Sequence, residues 1–186
     1  MPYLTKPQIE AIAARVIRAY KNLPIHEGEP IERVDPAILA QELLGLTVIY
    51  RKIASGEDVL GVTSPGEVDI GVIDEDTGEF TYQHIDGKTI ILDKSLQEND
   101  GLVGHMNFTL MHEACHQIYK MLYPKVYSNG TVHYYRHRHR YRTGDWEEWR
   151  ADVLAAAILM PPEHVVEEMQ LNGLGNKMRM LNRVFA

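Results

Sequence analysis

The chain has 186 residues, of which 45% are hydrophobic and 24% are charged, a composition that fits one soluble globular domain with a sizeable core. The formal net charge of −7 argues against a protein that mainly grips nucleic acid, and no apolar run approaches the ~18 residues of a membrane span. Because there is one cysteine and no visible secretory signal, we expect a single cytoplasmic domain over residues 1–186, without an intramolecular disulfide.

Two helices are predicted at the start of the chain. Thr5 and Gln8 have the spacing of a capping box, and apolar residues then recur with helical periodicity as far as Tyr20. A second, shorter helix should begin with Asp35 as its N-cap, carry a proline in its first turn and end at Gly45.

Short β-rich segments separated by glycine, proline and acidic residues follow the two helices. These predicted strands cover residues 47–52, 61–63, 68–73, 79–83 and 89–92. The segment 88–93 is a candidate for an edge strand, to which an extended substrate could add by backbone pairing. The sequence therefore predicts an α+β fold with N-terminal helices and a small twisted mixed sheet.

Two further helices are predicted after the sheet. Asn107 can cap a helix that ends before Pro124, and another helix should run from about residue 145 to 160, where a Pro-Pro pair closes it. The residues of this last helix that we expect to face inward are Trp146, Trp149, Val153, Ala156, Ala157 and Met160.

The main chemical signal is the sequence HEACH at 112–116, on the first of these two helices. Histidines four residues apart lie on one helix face, so the imidazoles of His112 and His116 can bind the same metal ion. Glu113 is rotated away from that line, which suits a general base acting on metal-activated water. The pattern predicts one catalytic zinc ion.

A catalytic zinc ion usually takes three protein ligands and keeps a fourth position for water, so a third ligand is needed. Glu148 lies near the start of the last helix, with Asp152 on the same face four residues later. We expect Glu148 to bind the metal and Asp152 to accept the second ring N–H of His112 or His116. Glu147 is the main rival for the third ligand.

Two segments of the chain resemble the signature blocks of the ImmA/IrrE metallopeptidases, a gluzincin-like family of HExxH zinc peptidases. They are FTLMHEACH at 108–116 and EWRADVLAAAILMP at 148–161. The family pattern is approximately Phe-Thr-hydrophobic-x-His-Glu-x-x-His, followed by Glu-x-x-Ala-Asn/Asp-x-Phe-Ala-x-x-Leu-Leu-Met-Pro. Leu154 and Arg150 depart from the usual family residues, and the connection between the blocks is longer than expected.

The resemblance implies a zincin-like fold in which the HExxH helix is followed by a glutamate-bearing helix. It implies zinc held by His112, His116 and Glu148, with Glu113 as the catalytic base. It further implies a protein substrate, a helix-turn-helix transcriptional repressor that is encoded nearby and cut in response to stress or mobile-element induction. The expected activity is therefore that of a zinc-dependent endopeptidase involved in transcription regulation.

The long connection contains the basic and aromatic tract VHYYRHRHRYR at 132–142. Its four arginines leave a formal charge of −11 on the rest of the chain. The tract could be a solvated loop or hairpin, a substrate-binding rim or acidic-partner patch, or a nucleic-acid contact, and a second metal site at its histidines is a further alternative. His133, Tyr134 and Tyr135 are candidates for oxyanion or substrate contacts.

Two residues near the HExxH motif are interpreted as structural. Cys115 lies on the apolar stripe of its helix, where a buried thiol behaves as a small hydrophobe. His105 follows two glycines, and we expect it to lie in a loop.

Two alternatives to a peptidase stay open. The first is a regulatory protein that uses the same fold to sequester a repressor or another partner without cutting it. The second is a structural zinc site, which would normally fill its fourth position with Cys or His. Neither alternative explains Glu113. The expected partner is a protein substrate, with no membrane contact and no direct nucleic-acid binding.

Overall fold

The computed structural model describes residues 4–28, 30–54, 58–98, 100–126, 132–136, 146–161 and 165–166. The helices are α1 (Lys6–Lys21), α2 (Pro36–Ile38), α3 (Val103–Leu122) and α4 (Trp146–Leu159). The strands are β1 (Thr47–Ile53), β2 (Val59–Thr63), β3 (Glu67–Ile73), β4 (Phe80–Asp86), β5 (Thr89–Asp93) and β6 (His133–Arg136). This arrangement confirms the predicted α+β class.

The two N-terminal helices begin at the caps that the sequence predicts. Gln8 Oε1 accepts a hydrogen bond from the Thr5 backbone N–H at 2.8 Å, at the start of α1. Asp35 Oδ1 accepts two backbone N–H groups of α2, at 2.7 and 3.2 Å. The second helix then widens into a π-helical turn over Leu39–Leu43, and Gly45 follows with a φ of +64°, which only glycine adopts freely.

The six strands form one mixed sheet in the order β4-β3-β1-β5-β2-β6. Strand β5 pairs in parallel with β1 on one side and antiparallel with β2 on the other. The prediction of an edge strand at 88–93 is therefore wrong, because β5 lies inside the sheet and its side chains are buried. The edges of the described sheet are β4 and β6.

The alternating side chains of the sheet serve two hydrophobic clusters on its opposite faces. On β5, Ile90 and Leu92 join the cluster that packs against the helices, whereas Ile91 joins a second cluster on the other face. In the described part of the chain, the helices pack against one face of the sheet only. Among the described residues, no helix is both long and apolar enough to cross a bilayer.

Helix α3 begins earlier than expected. It starts at Val103 instead of after Asn107, so His105 lies in the helix and not in a loop. The Thr109 hydroxyl donates to the backbone oxygen of His105, four residues earlier on the helix, at 2.9 Å. The two glycines at 101 and 104, which favoured a loop, are tolerated because the downstream part of α3 packs into the core.

Helix α4 has only part of the predicted inward face, since Trp149, Val153 and Ala157 pack against the main hydrophobic cluster. Trp146 and Met160 are 55% and 56% exposed, whereas the buried residues are Glu148, Arg150, Ala151, Leu154, Ala155 and Ile158. Because α4 is apolar on most of its surface and packs against both α1 and α3, periodicity alone does not select its buried side. Tertiary packing therefore turns Glu148 inward.

Candidate metal centre

Helices α3 and α4 bring three potential metal ligands together. The ligand atoms of His112, His116 and Glu148 all lie within 4.8 Å of one another, and all three residues are buried. The Nε2 atoms of the two histidines are 3.1 Å apart. Glu148 Oε2 lies 3.1 Å from His112 Nε2, and Oε1 lies 3.4 Å from His116 Nε2.

These distances fit one metal ion held by all three residues. With ligand bonds of ~2.0–2.2 Å, the edges of a tetrahedron are ~3.3–3.6 Å long, close to the 3.1–3.4 Å that separate the two histidine nitrogens from each other and from the nearer Glu148 oxygen. Two imidazoles and one carboxylate are a donor set that suits zinc. The residues present therefore fit a metal ion of this type.

Asp152 holds the other nitrogen of His112, as the four-residue spacing from Glu148 predicts. The distance from His112 Nδ1 to Asp152 Oδ1 is 2.7 Å, and the imidazole is fully buried. A carboxylate in this position sets the ring orientation and leaves Nε2 free to face the metal. Among the described residues, Nδ1 of His116 has no hydrogen-bond partner.

Glu113 lies beside the three ligands but outside their group. Its Oε1 accepts the backbone N–H of Tyr135 at 3.2 Å, while Oε2 is buried with no hydrogen-bond partner among the described residues. Burial raises the pKa of Glu113 to about 8. A buried carboxylate oxygen with no partner, next to a possible metal site, is suited to a water molecule or a substrate.

Gly61 in β2 makes room for this carboxylate. A Cβ atom at this position would lie 2.8 Å from Thr109 Cγ2 and 2.9 Å from Glu113 Oε1. Gly61 lies in the predicted strand 61–63 and was not predicted to be part of the site. A glycine inside a predicted strand was the available signal, because it often marks a close approach of the backbone to another group.

The charges at the site are set by burial and by the carboxylates. Burial disfavours a charged His112, but hydrogen bonds to Asp152 and Glu148 outweigh this effect and raise its pKa to about 9. Burial lowers the pKa of His116 to about 3. For Glu148 burial acts in the opposite direction, but hydrogen bonds with His112, His116 and His133 hold its pKa well below its usual value. Glu148 is thus an anion in contact with three histidine rings.

The short strand β6 lies against these side chains. The His133 ring stacks on the His116 ring with centroids 3.9 Å apart, and His133 Nδ1 lies 3.3 Å from Glu148 Oε1. The Tyr135 ring is 4.5 Å from the His112 ring, and burial raises the pKa of its phenol to about 12. Two of the three predicted contacts, His133 and Tyr135, therefore reach the site.

Tyr134 does not reach the site, so its prediction as an oxyanion or substrate contact is wrong. Side chains alternate along a strand, and Tyr134 packs with the second hydrophobic cluster on the opposite face of the sheet. His133 is only 4% exposed, which excludes a solvated loop for the start of the 132–142 tract. The arginine-rich part of the tract from 137 onward lies outside the described residues.

The remaining residues near the motif have structural positions. Cys115 is fully buried in the main hydrophobic cluster, which confirms its assignment to the core. Burial raises the pKa of its thiol, so it is not a reactive thiolate. Glu147 is half-buried and lies outside the ligand group of the described residues, so Glu148 is the glutamate that the fold brings to the histidines.

Comparisons with protein-family models, with curated proteins and with solved structures give no significant match to this chain.

Proposed function

We propose that this protein is a zinc-dependent endopeptidase. His112, His116 and Glu148 would hold the zinc ion, and Glu113 would act as the catalytic base. The observation that carries the proposal is a group of three ligand residues, with ligand atoms within 4.8 Å of one another, beside the buried carboxylate of Glu113, the residue that follows the first ligand. A structural metal site has no use for that fourth side chain.

The number of ligands also favours catalysis over a structural role. The group of described residues with mutually close ligand atoms has three members, and Cys115 points into the core instead. Structural zinc sites usually have four protein ligands, whereas catalytic sites have three and keep a position for water or substrate. We therefore assign the site to hydrolysis.

The proposed reaction is the hydrolysis of a peptide bond. A bound zinc ion supplies Lewis acidity and lowers the pKa of a water molecule to about 7. Glu113 accepts a proton from the attacking water while the water oxygen bonds to the carbonyl carbon of the substrate. Glu113 then gives that proton to the amine nitrogen as the C–N bond breaks.

We also propose that the chain is a zincin-like member of the ImmA/IrrE metallopeptidases. Support comes from the position of the two motif blocks, which fall on helices α3 and α4 and contribute every residue of the ligand group. On this resemblance the substrate is a helix-turn-helix repressor encoded near this gene. The substrate assignment depends on the resemblance and not on the geometry of the site.

One observation favours the alternative of a regulator that binds a partner without cutting it. His112 and Glu113 are fully buried, and His116 and Glu148 are 2% and 7% exposed, so no substrate reaches them in this conformation. Burial of a complete site is compatible with both functions if the covering segment can move. The presence of Glu113 beside the ligands makes the peptidase the better proposal.

The deciding experiment measures bound zinc and cleavage of the neighbouring-gene repressor for the wild type, Glu113→Gln and Glu147→Gln. The Glu147→Gln variant is the matched control, because it removes a carboxylate from α4 outside the ligand group. We expect all three proteins to bind one zinc ion and only Glu113→Gln to lose cleavage, by at least ~100-fold. Equal cleavage by Glu113→Gln would refute the mechanism, and a zinc-free wild type would refute the whole proposal.

A further inference from the structure

Strand β6, which we call the cover strand (His133–Arg136), contacts all of the proposed catalytic machinery. His133 stacks on His116 and approaches Glu148. Tyr135 packs on His112, and its backbone N–H donates to Glu113. Two residues of the cover strand thus contact the three ligands through their side chains and the base through a backbone N–H.

The cover strand closes the site to a substrate. A scissile carbonyl must come within about 3 Å of the base and of the ligand group for the reaction to occur. The base and the ligands are at most 7% exposed, and the Tyr135 N–H already occupies Oε1 of Glu113. A peptide can therefore reach Glu113 only if the cover strand moves.

The position of the cover strand is one that an extended peptide could take. Strand β2 passes directly over α3 at Gly61, where it contacts Thr109 and Glu113. The cover strand pairs antiparallel with the outer side of β2, opposite Val62 and Thr63, and forms the edge of the described sheet. Peptide ligands commonly bind by adding a strand to such an edge.

We propose that the outer side of β2 is the peptide-binding site of this protein and that the cover strand is its internal occupant. An extended segment of the substrate displaces the cover strand from β2 and pairs in its place. This inference rests on the proposed peptidase function and adds to it the binding site, the substrate conformation and a built-in inhibition.

The cover strand also indicates which substrate side chains fit. Alternate residues of a strand point to the same face, so two substrate residues separated by one would take the places of His133 and Tyr135. The place of Tyr135 is lined by the rings of Phe108 and His112, at 6.1 and 4.5 Å. This subsite suits an aromatic side chain.

The first test pins the cover strand to β2. Val62 and Tyr134 are directly opposed and pack in the second hydrophobic cluster, away from the ligands, so Val62→Cys/Tyr134→Cys can form a disulfide there. The matched control is Asp69→Cys/His84→Cys, an opposed and exposed pair in the β3–β4 hairpin. Buried Cys115 does not compete for either disulfide.

Two measurements are made on the oxidised and reduced forms of both variants. One is cleavage of fluorescein-labelled casein by the zinc-loaded protein, and the other is binding of a labelled peptide with the sequence of residues 131–137 to the metal-free protein. If the form with the cover strand displaced is a minor state of ~0.1–10%, the reduced Val62→Cys/Tyr134→Cys protein binds the peptide weakly. The oxidised, disulfide-linked protein should then bind the peptide at least ~10-fold more weakly still. The control pair should show no difference.

The second test releases the cover strand. Tyr134→Asp places a charge in the second cluster and weakens the attachment of the cover strand without touching the ligands, and Thr81→Asp on exposed β4 is its control. We expect Tyr134→Asp to increase peptide binding by ~10-fold and to increase cleavage as well. A folded Tyr134→Asp protein with reduced binding would overturn the proposal, because the cover strand would then be a required wall of the site.

The two proposals can fail separately. If Glu113→Gln abolishes cleavage but the pinned protein binds and cleaves as fast as its reduced form, the peptidase assignment stands and the cover-strand inference is wrong. If the wild type neither binds zinc nor cleaves, but pinning blocks peptide binding, the peptidase assignment fails and β2 remains a peptide-binding edge.

Discussion

Replacement of Gly61 by alanine tests the close contact between β2 and the helix that carries the HExxH motif. The new methyl carbon would lie 2.8 Å from Thr109 Cγ2, 2.9 Å from Glu113 Oε1 and 3.0 Å from Glu113 Cγ. Carbon atoms that are not bonded normally stay more than ~3.4 Å apart. Thr109 and Glu113 are both fully buried, so neither side chain can relieve the overlap by moving into solvent.

The expected cost in stability follows from this overpacking. An extra methyl group in a tightly packed core typically costs ~1–3 kcal/mol in the free energy of unfolding. For a chain of this size, each kcal/mol shifts the melting temperature by ~2–4 °C, so we expect a decrease of roughly 2–12 °C. We also expect a large loss of activity, because displacing a catalytic carboxylate by ~1 Å lowers the reaction rate by ~100-fold.

The assay combines thermal unfolding, zinc content and casein cleavage for Gly61→Ala and a matched control. Gly71→Ala adds the same methyl group in strand β3 of the same sheet, also at 2.8 Å from another side chain. That neighbour is the ring of Phe80, which is 57% exposed and can swing away. We expect the control to unfold and cleave like the wild type.

A double variant separates the two clashes of the new methyl group. Thr109→Ser removes Cγ2 and keeps the hydroxyl that donates to the backbone of His105, so Gly61→Ala/Thr109→Ser should recover part of the stability but not the activity. The reasoning is refuted if Gly61→Ala melts and cleaves like the wild type. It is also refuted if Thr109→Ser restores cleavage, since the overlap with Glu113 would then have no effect.

Three other predictions concern the hydrogen bond of Asp152, the proposed zinc ion and the hydrogen bond of Tyr20. Asp152→Asn should weaken zinc binding by ~10–100-fold in equilibrium dialysis, because the amide is a poorer acceptor for His112 Nδ1–H; unchanged affinity would contradict this role. Removal of zinc with a chelator should abolish cleavage. It should also lower the free energy of unfolding by ~2.7 kcal/mol, relative to protein in a free zinc concentration of 100 times the dissociation constant. Equal melting temperatures with and without the chelator would argue against a bound ion. Tyr20→Phe removes the phenol that accepts the Asp35 N–H at 3.0 Å and should cost ~0.5–1.5 kcal/mol in urea unfolding, with zinc content unchanged.

Local sequence patterns were sufficient for most of the individual elements. The caps at Thr5 and Asp35, and the apolar periodicity that follows Thr5, place the first helices within a few residues of their observed positions. Five of the strands also lie close to their predicted ranges. These signals act within a few residues along the chain, so they do not depend on how the elements pack.

The composition of the candidate site was predictable for a related reason. The four-residue spacings between His112 and His116, and between Glu148 and Asp152, place each pair on one helix face before any tertiary contact is known. A metal site needs only that the two faces meet. The structure brings them together, with Asp152 on His112 and Glu148 between the histidines.

Only the tertiary structure decided what surrounds those residues. The interior position of β5, the pairing of β6 with β2 and the approach of Gly61 to Glu113 all join segments that are far apart in sequence. Strand order depends on which edges and faces bury the most surface, and a single strand carries no local record of that choice. The HExxH motif and the glutamate helix could thus be predicted from the sequence, whereas the pairing that places β6 over them is shown only by the tertiary structure.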